Sequence, residues 1–177
     1  MELIKGVVER RSIRKYKEAG LPKGVIETII DEAKFCPSWA HTKTVRYRCV
    51  VNPVLKEKIA ESTDFNAQYI KEAPALFVIT AIKGRSGTDR SGSFYYHTSK
   101  EWTMLDAGIA IQTLCLVAHS HGVGTLIMGV FNGPETKGIL EIPEEEELVA
   151  MVSAGFPDEA PIAPKRKETK DILQILE

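Results

Sequence analysis

Cysteine is scarce in this chain: three residues in 177, Cys36, Cys49 and Cys115, an odd number with no CxxC spacing. That pattern offers neither a disulfide framework nor a zinc site, and a reducing compartment is the expectation. Charge of one sign is missing too. With 23 Lys and Arg against 24 Asp and Glu, the net charge is −1. No global field favours nucleic acid or an anionic membrane, so any anion site has to be local. The start, MELIKGVVERR, has no apolar run long enough for a signal peptide. The most apolar stretch, MLDAGIAIQTLCLVAH (104–119), carries Asp106 and Gln112 and is short for a membrane span. A soluble, cytoplasmic protein with no nucleic-acid or membrane partner is expected. The usual nucleotide signatures are absent as well: there is no GxGxxG and no Walker loop, and the glycines of HGVGTLIMG (121–129) have the wrong spacing for either. GxSxG and HExxH do not occur.

What is present fits one domain over residues 1–177, with 44% hydrophobic and 27% charged residues. ELIKGVVERR reads as a short helix with Leu3, Ile4, Val7 and Val8 on one side. Residues 21–35 space Val25, Ile26, Ile29, Ile30 and Ala33 at helical period. The irregular CPSWAHTKT follows, then a strand at 45–51 and a helix at 53–63. ALFVITAI (75–82) is a near-continuous β-forming run, the mark of a strand buried on both faces. A Gly-, Ser- and Arg-rich loop, 83–96, leads to the longest helix candidate, 99–122, with Ser99 as its cap and Gly122 as its stop. Two more strands, 123–131 and 148–156, flank a short helix near PETKGILE, and the proline-rich tail closes in a helical turn or two. The long helix is apolar nearly all round and calls for burial in a core or an interface. The expected class is α+β, part of its core hidden against a partner subunit.

Positive charge is concentrated at two places. ERRSIRKY (9–16) alternates Arg10, Ser12 and Arg14, which an extended segment would point the same way. Such a face is either a phosphate or carboxylate site, since guanidinium donates in a planar fork, or the solvated end of a helix. APKRKETK (163–170), with Lys165, Arg166 and Lys167, leaves the same two readings open. His119 and His121 flank Ser120 without an evident third metal ligand, so no metal site is assigned. Cys36 lacks a His–Asp arrangement and reads as a small apolar packing residue. IPEEEEL (142–148) reads as a solvated turn before a strand.

Taken in order, RRSIRKY, FCPSWAHTKTVRY, FNAQYIKEAPALFVI, WTMLDAGIAIQTLCLVAHSHGVGTLIMGVF and PKRKETKDIL resemble the FMN-dependent nitroreductase family over nearly the whole chain. The resemblance implies a nitroreductase-like α+β fold: a central, mostly antiparallel sheet flanked by helices, with a long buried helix at a homodimer interface. It implies FMN as cofactor and NADH or NADPH as donor. Hydride would pass through flavin N5 in a ping-pong cycle to nitroaromatic, quinone or similar acceptors. The alternative is a protein of the same fold that binds flavin or another anionic ligand with little turnover. A non-flavin metal protein built on His119 and His121 is a third reading.

By the resemblance, Arg10, Arg11, Ser12 and Arg14 hold the flavin, and Lys165, Arg166 and Lys167 complete the grip on its phosphate. Pro37, Ser38, Trp39, Ala40, His41 and Lys43 line the flavin edge from the other subunit. Asn66 meets the pyrimidine side, and Met128 and Gly129, with Val130, lie near N5. No side chain is catalytic; the flavin carries the chemistry. Phe94, Tyr95 and Tyr96 are either stacking partners for the acceptor or loop anchors. Arg85 and Arg90 meet either solvent or the phosphates of NAD(P)H. One departure stands out. His41 and Lys43 occupy positions where the family usually has Asn and Gln, so an imidazole and a cation replace amides. Lys43 either raises the flavin reduction potential or points to solvent.

Overall fold

The computed structural model describes residues 2–97 and 101–177. Six helices and four strands alternate among them: α1 (Leu3–Glu9), α2 (Lys23–Ala33), β1 (Val45–Val50), α3 (Pro53–Glu61), α4 (Ala67–Glu72), β2 (Ala75–Ile82), α5 (Trp102–Ser120), β3 (Gly124–Met128), α6 (Gly133–Ile139) and β4 (Glu146–Gly155). The strands form one sheet in the order β1-β2-β4-β3, antiparallel throughout. The α+β class and the antiparallel sheet flanked by helices are those expected.

Strand β2 lies second in the sheet, and its alternation feeds two cores. Ala75, Phe77 and Ile79 face α2 and α5, joining Ile29, Ala33, Leu114, Cys115 and Ala118. Leu76 and Val78 face the other way, against Ile59, Ile70 and Met151 under α3 and α4. Both sets are fully buried, which is why ALFVITAI reads as continuous rather than alternating. Helix α5 is long and apolar enough, by length and composition, to cross a membrane; here it packs on α2 and on strands β2 and β3. Its start at Trp102 is later than expected, and the proposed cap Ser99 lies outside the described residues. At its other end Gly122 takes φ 74°, the left-handed conformation of a helix stop.

Four features differ from the sequence reading. Helix α4 was not anticipated: AQYIKE is short and its leading Asn66 makes no side-chain cap. Strand β3 ends at Met128 rather than 131, and the tail holds only a tight turn at Thr169–Asp171. The acidic run is not wholly a solvated turn, since Glu146 opens β4 as a buried residue. Its carboxylate accepts from both guanidinium nitrogens of Arg48, at 2.7 and 3.1 Å, and from the Thr80 hydroxyl. Strands β1, β2 and β4 are thereby tied across the sheet by one paired charge.

All three thiols are packed in to different degrees. Burial pushes Cys36 and Cys115 upward and Cys49 to about 11.

The Arg48 pairing holds the Glu146 carboxyl below its ordinary range. A depressed folded pKa means stability that is complete above the unfolded carboxylate value, near 4.5, and lost as pH falls through the folded value. Arg48→Met is expected to cost about 1–3 kcal/mol at neutral pH by leaving the carboxylate unpaired. Glu146→Gln should flatten the loss of stability between pH 5 and about 3. Urea unfolding across that range checks both.

Candidate functional site

After α1 the chain runs extended along the end of the sheet. Ser12 bridges Thr125 in parallel, and the Ile13 N–H donates to the Thr125 carbonyl at 3.0 Å. Such close approach needs two glycines. A Cβ on Gly124 would lie 2.6 Å from Ile13 Cγ1, and one on Gly155 would lie 2.6 Å from Pro74 and 2.8 Å from Tyr16. Tyr16 fixes the far end: its hydroxyl donates to the Ile13 carbonyl (2.7 Å) and meets the Ser153 hydroxyl (2.8 Å). Burial raises that phenol to about 12.

Ile13 is buried, so alternation turns Ser12 and Arg14 to the opposite side. Glu159 clips the segment from outside. Its Oε1 accepts the backbone N–H of Arg14 and, at 3.2 Å, that of Lys15. Arg10, Arg11, Ile13, His119, Thr125 and Glu159 border a cavity of about 330 Å³, which Ser12 and Arg14 do not line. Arg11 is engaged locally, donating to the carbonyls of Val8 (2.7 Å) and Arg10 (2.8 Å) at the end of α1. Arg10 and Arg14 have no salt bridge among the described residues. Burial, then the Arg10 charge, lower the His119 pKa. His121 turns elsewhere, to Glu32 at 2.9 Å.

The Pro37–Lys43 segment is a strained turn. Ala40, His41 and Lys43 have φ of 41°, 57° and 53°, a region that costs L-residues roughly 1–2 kcal/mol each. It persists because it is pinned. The Ser38 hydroxyl accepts the Lys43 N–H (3.1 Å), and Asp106 Oδ1 accepts the Trp39 N–H (2.9 Å). Asp106 lies in the apolar face of α5, 1% exposed. Its other oxygen accepts the Ser86 hydroxyl at 2.6 Å, and Ser86 in turn meets Thr44 (3.2 Å). One carboxylate therefore joins the 37–44 segment, the 83–96 loop and the core helix. Trp39 packs on Trp102 at 4.5 Å and on Tyr95 at 5.9 Å between ring centroids. Its indole N–H is buried and has no hydrogen-bond partner among the described residues.

Asn66 donates its side-chain amide to the Val130 carbonyl at 2.7 Å, joining the start of α4 to the chain just past β3. Met128 is buried, whereas Gly129 and Val130 are exposed beyond the last ladder pair, Met128–Met151. Phe94 pairs with Thr88 inside the loop, and Tyr96 is exposed. Lys165, Arg166 and Lys167 are exposed and border their own concavity with Glu168 and Asp171. Within one chain they do not share the Arg10 cavity. Sequence reasoning missed Glu159, Ser86 and the anchoring role of Asp106. For Asp106 the signal was there: a lone carboxylate in an otherwise apolar helix.

A sequence model of the nitroreductase family matches residues 7–64 and 55–156. An NADH dehydrogenase of Thermus thermophilus is 25% identical over 175 residues, covering 86% of this chain and 85% of that one. An iodotyrosine deiodinase of Nematostella vectensis is 26% identical over 202 residues, with 98% and 75% covered. The crystal structure of a nitroreductase family protein from Clostridium novyi NT superposes with a TM-score of 0.78 at 27% identity, over 91% of this chain and 88% of the other.

Removing the buried carboxylate should free both loops together. Asp106→Ala is expected to cost about 3 kcal/mol in denaturant unfolding, since two buried donors lose a charged acceptor. It should also change the near-ultraviolet circular dichroism of the Trp39–Trp102 pair. An unchanged aromatic spectrum would show that Asp106 does not hold the segment.

Proposed function

The chain belongs to the nitroreductase family and is accordingly an oxidoreductase; on that premise we propose that residues 1–177 form one FMN-binding domain that oxidises NADH or NADPH. The carrying observation is the extended segment after α1, joined to Thr125 at Ser12 and Ile13, whose Arg10 and Arg14 have no ion-pair partner among the described residues. Two guanidiniums and a hydroxyl suit a doubly charged phosphate. In the 37–43 segment the buried Trp39 indole N–H, without a hydrogen-bond partner among the described residues, is a second sign of a place built to receive another group.

In this reading Arg10, Ser12 and Arg14 bind the phosphate, joined by Lys165, Arg166 and Lys167. Arg11 steadies the turn out of α1. The strained Pro37–Lys43 segment orients the flavin edge. Asn66 and the Met128–Gly129 backbone bind the ring and leave one face open. When bound, FMN would supply two-electron redox chemistry between a nicotinamide donor and a nitroaromatic, quinone or related acceptor. No side-chain acid or base is required for the first half of that cycle, so none is assigned.

The active form is a cytoplasmic homodimer. Leu3, Ile4, Val7 and Val8 on α1, Met104 and Leu105 on α5, and Ile172, Leu173, Ile175 and Leu176 in the tail are all exposed in the single chain. A second copy would cover such surface. It would also allow one chain's tail and 37–43 segment to reach the other's Arg10–Arg14 segment.

Gel filtration followed by a visible spectrum tests this. The expected result is a yellow dimer with one FMN per subunit, reduced by NADH or NADPH and reoxidised by a quinone. Arg10→Ala should weaken FMN binding by about tenfold or more. A colourless protein that does not take up added FMN overturns the proposal. A yellow protein that NAD(P)H does not reduce supports the binding-protein alternative instead.

Lys43 is exposed at the end of the strained turn, and a cation near the pyrimidine edge favours negative charge there. Lys43→Gln is therefore expected to lower the flavin potential measured by dye equilibration. A potential equal to or above wild type would show that the side chain faces solvent.

A further inference from the structure

We propose that the cavity between Ala40–Thr42 and the 84–92 stretch binds an anionic group (carboxylate, sulfonate or phosphate) carried by a diffusible substrate, and that Arg85 and Arg90 recognise it. The proposal rests on the oxidoreductase reading above and assigns a substrate class to its site. The cavity measures about 770 Å³, ample for an aromatic ring bearing a charged substituent. Ala40 and Thr42 form one wall; Arg85, Arg90 and Tyr95 are on the other.

Its cations are free to act, because the loop's own carboxylate is already engaged. Asp89 accepts from the Ser91 N–H (2.8 Å), the Ser93 N–H (3.1 Å) and the Ser91 hydroxyl (2.6 Å). These bonds, Ser91's first, hold its carboxyl low. Lys83, at the base of the loop, pairs with Glu144 at 3.0 Å. Arg85 and Arg90 form no salt bridge among the described residues. Counting Asp89, the lining still carries one net positive charge: two arginines less one aspartate.

The loop is also built to hold those charges in place. Thr88 and Phe94 pair in an antiparallel bridge, and the Asp89 and Tyr95 N–H groups donate to the Ser93 and Gly87 carbonyls at 2.9 and 3.2 Å. Ser86 ties the loop to the same Asp106 that fixes Trp39. The two walls are therefore referred to one buried group, which sets the loop backbone carrying the arginines relative to the strained turn. Tyr95, tilted against Trp39 at 5.9 Å, offers a ring face beside the cations. Guanidinium forks and an adjacent aromatic suit an anionic aromatic compound.

The test is calorimetric titration of the protein as purified with naphthoquinone sulfonate and with unsubstituted naphthoquinone, at low and high salt. Wild type should bind the sulfonate about tenfold more tightly or better, and salt should erode that preference. The double substitution Arg85→Ala/Arg90→Ala should abolish it, whereas Arg85→Lys/Arg90→Lys keeps the charge and should retain part. A parallel titration compares NADPH with NADH. A preference lost only for NADPH places the anion on the nucleotide, and one lost for the sulfonate places it on the acceptor; either supports the site. Equal binding of the two members of each pair by wild type overturns it, as does a preference that survives the double Ala variant. FMN uptake, measured separately by fluorescence, should be the same in all variants. Its failure in wild type would remove the flavin reading without touching this result.

Discussion

A single carboxylate buried in an apolar helix sets the working surface of this molecule. Asp106 would be costly to desolvate alone. It is tolerated because both of its oxygens accept hydrogen bonds, from the Trp39 amide and the Ser86 hydroxyl. The two segments so held are otherwise irregular: one contains three left-handed residues, the other is a long polar loop. Neither could keep its shape by packing alone. The helix supplies rigidity, the carboxylate transmits it, and the loops present the functional groups. An apolar residue at 106 would pack acceptably and leave both loops without a reference point.

The Arg10–Tyr16 segment follows a different rule. There the chain is held by fit rather than by charge: Ile13 on Gly124, Tyr16 on Gly155, and a short ladder contact at Thr125. Burying Ile13 and Tyr16 anchors one side of the strand, and alternation leaves Ser12 and Arg14 facing outward. Glu159 adds a clip at the backbone. The cations are therefore placed by their apolar neighbours, an economical way to hold charges near one another without pairing them.

Much of this fold is legible in the sequence because its strongest signals are local. The period of residues 25–33, the unbroken run of β2 and the uniform apolarity of α5 each declare an element within one window. Helix α4 escapes that logic because six residues are too few for a period to register. Glu146 escapes it because a run of glutamates looks solvated until Arg48, 98 residues away, is seen beside it. The site divides in the same way. The Arg10, Ser12, Arg14 alternation is visible in the chain, whereas the Asp106–Trp39 and Glu159–Arg14 contacts span 67 and 145 residues. No spacing rule reaches that far. The basic tail was expected to share an anion with the N-terminal cations, and in one chain it borders a separate concavity.

The packed thiols have a chemical consequence. A thiolate, not a thiol, attacks electrophiles and peroxides, and burial keeps Cys36, Cys49 and Cys115 in the protonated form well beyond neutral pH. Quinones and reduced nitro compounds alkylate or oxidise accessible thiolates. A chain that handles such molecules at an open surface would inactivate itself if its sulfur were ionised there. Here Cys115 is buried and Cys36 and Cys49 are half-buried, an arrangement that favours chemical durability toward the reagents the protein is proposed to meet.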